Sequence, residues 1–199
     1  IARPYIGTKE GHFTRTSNRH DYALAPFSKT ALDSLKDAGL DVIGVGKIPD
    51  IFVDQGITRK IKTVSNEDGM NKTIELASDN FNGLAFINLV DFDAVYGHRR
   101  NAAGYGKAIE EFDVQLGELI NELKEDDLLI VTADHGNDPT YRGTDHTREQ
   151  VPLIIYSKQF NEMKVLNDGD SFGIIGSTIC DNFNVKYNGI GSSILELLK

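Results

Sequence analysis

Leu84-Ala-Phe-Ile-Asn-Leu-Val90 and Leu128-Leu-Ile-Val131 are short runs that are apolar almost throughout, without the alternation of a strand facing water on one side. Such runs read as strands buried on both faces. Asp41-Val-Ile-Gly-Val-Gly-Lys47 has the same character. Between them lie segments with helical spacing. Across 104–124, Ile109, Phe112, Leu116, Leu119, Ile120 and Leu123 recur every three or four residues, with acids between. Residues 28–39 read as a helix capped by Ser28 and stopped at Gly39, and 68–77 as another. A further strand is expected over 151–156, with two helices near 170–183 and 191–198. Buried strands alternating with amphipathic helices predict an α/β fold, a mostly parallel sheet covered by helices on both faces. Ligands in such folds collect at the carboxyl ends of the strands.

Those ends carry metal-type side chains. The run from Leu84 leads into Asp91-Phe-Asp93 and then His98; the run from Leu128 leads into Asp134-His135-Gly136. His146 closes a Gly/Asp/Thr/Arg-rich loop that begins at Gly136, and three of the chain's five histidines fall in this region. Imidazole and carboxylate suit divalent transition metals. An Asp-His-Gly turn after a strand can be no more than a cap, but five such groups at strand ends point to metals. One division puts Asp93, His98 and His146 on one ion and Asp134 with His135 on a second. Two metals about 3.5–4 Å apart suit an in-line displacement at phosphorus.

Basic residues form a second theme. Arg3, Arg15, Arg19 and Lys47 stand out in a chain of net charge −9. Arginine grips phosphate through its fork and lysine acts as a point charge. Lys47 ends a buried strand, so it has the strongest case; Arg3 and Arg19 have a weaker one. His98-Arg99-Arg100 reads either as a substrate clamp or, more simply, as ion-pairing with the acidic helices.

The acidic balance argues against a nucleic-acid or anionic-membrane partner. No apolar run approaches the roughly 20 residues that span a bilayer. A single cysteine, Cys180, precludes an internal disulfide and favours a cytoplasmic setting, and its apolar surroundings suggest a buried thiol. The opening Ile1-Ala-Arg-Pro-Tyr-Ile6 lacks the features of a signal peptide and reads as a strand entered midway.

Three segments are more specific. Asn88-Leu-Val-Asp-Phe-Asp-Ala-Val-Tyr-Gly-His-Arg-Arg100, Thr132-Ala-Asp-His-Gly-Asn-Asp138 and Gly143-Thr-Asp-His-Thr-Arg-Glu149 closely resemble the phosphopentomutase family of the alkaline-phosphatase-like metalloenzymes. So does Phe13-Thr-Arg-Thr-Ser-Asn-Arg-His-Asp21. The resemblance implies a three-layer sandwich with part of an alkaline-phosphatase-like core over 25–199, and over 1–24 the end of a cap domain with its return linker. It implies two manganese ions, held by Asp93, His98 and His146 and by Asp134 and His135, where zinc or magnesium could also sit. Arg15 and Lys47 are then contacts to the phosphate of a pentose. The family interconverts ribose 1-phosphate and ribose 5-phosphate, and the deoxyribose pair, through a phosphothreonine primed by a bisphosphorylated sugar. No segment here matches that threonine or one further aspartate ligand. The chain is therefore expected to be the C-terminal portion of its enzyme, to need the remainder of its own core and cap, and to be inactive alone. Alternatives are a phosphoglycerate mutase of the cofactor-independent kind, a phosphatase, or a non-catalytic metal-stabilised domain.

Overall fold

Thr30 opens the first helix of the core. Its hydroxyl accepts from the backbone N–H of Asp33, and the Asp33 carboxylate accepts from the backbone N–H of Thr30. This reciprocal box satisfies two donors that a helix start leaves unpaired. The computed structural model describes residues 2, 4–16 and 22–198. The elements are β1 (Tyr5–Ile6), β2 (Thr14–Arg15), α1 (Ala31–Asp37), β3 (Asp41–Val45), α2 (Ile48–Ile51), β4 (Arg59–Ile61) and α3 (Asn66–Ser78). They continue with β5 (Gly83–Ile87), a π-helical turn (Phe92–Gly97), α4 (Ala102–Glu122), β6 (Leu129–Thr132), β7 (Leu153–Tyr156), α5 (Gly173–Asn182) and a 3-10 turn (Leu195–Leu197).

The parallel α/β core is built on β3, which pairs in parallel with β4 on one side and β5 on the other. Successive side chains of a strand point to opposite faces. Val42 accordingly packs with Leu32 and Leu35 of α1, Ile48 and Cys180 of α5. Ile43 and Val45 face the other way, onto Leu76 of α3. Val42, Ile43 and Val45 are at most 1% exposed, and burial of each stabilises the fold by roughly 1.5–3 kcal/mol. On that second face α4 packs outside α3. Helices thus cover β3 from both sides, as the sequence pattern predicts, and the Cys180 thiol is buried.

Several details differ from expectation. Thr30, not Ser28, caps α1, because only Thr30 has an acidic residue three positions on to complete the box. The expected helix over 191–198 reduces to the 3-10 turn, held by Ser193 and by a bond from Ile194 N–H to the Thr178 hydroxyl. Residues 5–15 form a small antiparallel hairpin where a single short strand was expected. The strands β6 and β7 pair antiparallel with each other, and no hydrogen-bonded ladder joins them to the parallel sheet among the described residues. Their connection has no crossover helix and is drawn closed by a bridge between Gly136 and Thr147, so the chain returns beside the strand it left. No described helix is long and apolar enough to cross a membrane.

Candidate metal centre

Beyond β5 the chain separates the two acids of Asp91-Phe-Asp93. Asp91 turns to the start of α3: its carboxylate accepts from Asn66 N–H at 2.7 Å, and its own N–H donates to Asn66 Oδ1 at 2.9 Å. Asp93 turns to the cluster. The segment then winds as a π-helix, with i→i+5 bonds from His98 N–H to Asp93 O and from Asn101 N–H to Tyr96 O. At 3.6 residues per turn, five residues of α-helix would leave Asp93 and His98 about 140° apart. The wider turn brings His98 Nε2 to 3.3 Å from Asp93 Oδ2.

His146 arrives from the loop after β6. Thr147 donates its N–H to Gly136 O, and the Thr147 hydroxyl accepts from Asp138 N–H, which shuts the loop at its base. His146 Nε2 then stands 3.2 Å from Asp93 Oδ1. Its ring stacks on His135 at 3.7 Å and on His98 at 4.8 Å. Asp93, His135 and His146 offer ligand atoms all within 4.8 Å of one another. Asp134 is the outlier, 74% exposed, with its carboxylate 3.7 Å from His135 Nε2. Of the five expected ligands, Asp93, His135 and His146 group together, His98 joins them beside Asp93, and Asp134 stands at the edge next to His135. His135 stands between the two sets into which the sequence divides them.

The tautomers follow from the partners. His98 Nδ1 lies 2.5 Å from Thr144 O and His135 Nδ1 lies 3.1 Å from Gly136 O. A carbonyl can only accept, so each Nδ1 carries a proton and Nε2 is the nitrogen left to face the cluster. A histidine fixed through one nitrogen on a backbone carbonyl and open at the other is arranged as metal ligands are. The donor set, imidazole nitrogens around a carboxylate, fits a divalent metal.

Two groups nearby titrate abnormally. Burial raises the Tyr105 hydroxyl above the ordinary phenol value, and the Asp93 carboxylate adds to the shift. The Asp138 carboxyl is held below the ordinary range by hydrogen bonds from the Thr140 side chain and backbone, and more weakly by Arg100.

Among the proposed phosphate contacts, Lys47 lies just beyond β3, at the sheet end where β5 delivers its residues, and is partly buried. Arg15 is on β2, its backbone paired with Tyr5. Arg3 and Arg19 lie outside the described residues. Sequence reasoning gave no role to Asn137 and directed Arg100 to acidic helices. Asn137 is instead 9% exposed and donates to Asp93 Oδ1 at 2.6 Å, while Arg100 binds carbonyls of the ligand loop. The available signal was their position, Asn137 two residues past His135 and Arg100 two past His98.

Residues 5–187 match the Metalloenzyme superfamily, and the chain belongs to that superfamily, whose name implies a divalent metal site. Within it the chain is similar over its whole length to proteins named phosphopentomutase. It is 59% identical to those of Clostridium botulinum and Agathobacter rectalis and 57% identical to that of Clostridium beijerinckii. It spans about half the length of these curated relatives: 50%, 51% and 50%.

Proposed function

We propose that this chain is part of a phosphopentomutase that interconverts ribose 1-phosphate and ribose 5-phosphate, and the 2-deoxyribose pair, through a phosphothreonine. The observation that carries the reading is the seating of the Asp93 carboxylate between Nε2 of His98 and Nε2 of His146, at 3.3 and 3.2 Å. Asp93, His98 and His146 would hold one manganese, and Asp134 with His135 a second. Bound there, the ions would neutralise phosphoryl charge and orient the attacking and leaving oxygens. The chain's own side chains hold that geometry. The carbonyls of Thr144 and Gly136 fix the imidazoles of His98 and His135, and the Gly136–Thr147 bridge sets His146 beside them. Lys47 and Arg15, with Arg3 and Arg19 in lesser roles, would bind the sugar's phosphate.

The nucleophilic threonine, one more carboxylate ligand and the cap domain are assigned to sequence outside these 199 residues. Relatives of about twice the length support this, as do the second edge of β5 and that of β6, which have no partner strand among the described residues. Residues 1–24 would be the end of the cap and its linker, and 25–199 the C-terminal part of the core. A bisphosphorylated pentose would prime the threonine, and the setting would be the cytoplasm.

The test is an assay of the full-length enzyme with ribose 5-phosphate and, in parallel, with phosphoglycerate. Pentose-phosphate turnover should vanish on chelation and return with manganese. Asp93→Asn or His146→Ala should lower it by more than about 100-fold. Turnover of phosphoglycerate without pentose phosphates would reassign the substrate, and full activity in both variants would end the metal-dependent reading.

A further inference from the structure

Arg100 is one of four non-glycine residues with a positive φ among the described residues, at +53°, and it follows His98 by two positions. Its guanidinium reaches five acceptors. Nε donates to Gly143 O at 2.5 Å; one terminal nitrogen donates to Asp138 O at 2.7 Å, Asn137 Oδ1 at 2.9 Å and Gly97 O at 3.3 Å. The other donates to Asp145 O at 2.6 Å. Three of these carbonyls, on Asp138, Gly143 and Asp145, belong to the loop that carries His146. An exposed arginine placed for solubility would not spend its fork on backbone carbonyls. A lysine, with one point of charge and three donors, could not span them.

Asn137 extends the chain of bonds. A guanidinium only donates, so the Asn137 oxygen must face Arg100, which turns its nitrogen to Asp93. That nitrogen is 2.6 Å from Oδ1, the same oxygen that faces His146 Nε2. Gly97 lets the amide sit there, since any Cβ at that position would lie 2.4 Å from the Asn137 nitrogen. Guanidinium, amide and carboxylate thus form one line from the loop that carries His146 to Asp93.

We propose that Arg100 and Asn137 are positioning residues for the metal centre. Arg100 pins the loop that presents His146, and Asn137 fixes the rotation of the Asp93 carboxylate so that both oxygens face imidazoles. The inference rests on the metal reading of the cluster, and the experiment separates the two.

Manganese binding to the full-length protein is titrated by calorimetry and by electron paramagnetic resonance of the bound ion, for the parent, Asn137→Ala, Arg100→Lys and Asp93→Asn. Melting of each metal-free form is measured alongside. Asn137→Ala and Arg100→Lys should weaken binding of one ion by about 10–100-fold, as loss of a partner behind a ligand does. Its resonance should broaden or shift, while metal-free melting falls only by what loss of these hydrogen bonds costs. Parent-like affinity and spectrum in both variants would overturn the proposal, whether or not melting falls, because the clamp would then only stabilise the loop. Should Asn137→Ala fail to fold, Arg100→Lys decides alone. If Asp93→Asn also keeps two ions, the metal reading falls and takes this proposal with it.

Discussion

Gly97 shows how tightly single residues around Asp93 are fitted. Its α-hydrogen faces the Asn137 side chain, and that amide cannot retreat, because Arg100 and Asp93 hold it at both ends. Gly97→Ala should therefore destabilise the protein by about 1–3 kcal/mol, the usual range for an overpacked site. It should also weaken divalent-metal binding at the candidate site by displacing the amide. Thermal melting and a metal titration would check both, and unchanged values would mean that Asn137 is free to move. At this scale the residues that cluster around Asp93 were legible as candidates and their supports were not. Histidine and aspartate at a strand end announce a chemistry. A neutral amide in a turn has the same look whether it caps, binds or does nothing. The difference between Asp91 and Asp93 was equally hidden, since it depends on Asn66, 25 residues away.

At the scale of elements, α1 offers a clean test of capping. Burial alone would raise the Asp33 carboxyl. Hydrogen bonds from Gln55 and from the backbone and hydroxyl of Thr30 outweigh it and hold the group below its ordinary value. A carboxyl depressed in the folded state adds stability above its unfolded pKa, near 3.9. That stability is lost as pH falls through the folded value. Thr30→Ala should cost about 1 kcal/mol at neutral pH, by loss of the cap. The cost should begin to shrink below about pH 3.9 and be least once pH has fallen through the lower folded value of Asp33, where the carboxyl protonates and the box loosens in the parent too. Urea denaturation at both pH values would reveal it, and a pH-independent cost would detach Asp33 from the cap. Long elements such as α4 could be read from periodicity. The π-turn could not, because the five-residue spacing of Asp93 and His98 is also compatible with an irregular loop. The short α2 and β4 gave no periodic signal of their own.

Across the whole molecule, the parallel core and the convergence of strand ends were foreseeable, whereas the separation of β6 and β7 was not. Sequence shows which strands are apolar on both faces but not what covers them. In this structure much of the cover is incomplete. Phe86 of β5 is 37% exposed and Ile154 of β7 is 59% exposed. An open groove of about 1530 Å³ runs between β7 and α5, lined in part by Leu166, Ile174, Ile175 and Leu197. Met163 and Val165 on its rim are each 93% exposed. Apolar strands with open edges are templates for pairing with further strands. Produced alone, this 199-residue chain should self-associate through those edges. Sedimentation showing monomers at all concentrations would count against it.

The π-turn has a consequence for protein engineering. Val95, 47% exposed within it, looks like a natural place to improve helix propensity. Any change that made Phe92–Gly97 an ordinary α-helix would rotate His98 away from Asp93. Here the usual route to a hardier protein runs against the geometry of the candidate metal site. The irregular winding is better left alone, and thermostabilising substitutions belong on the exposed face of α4.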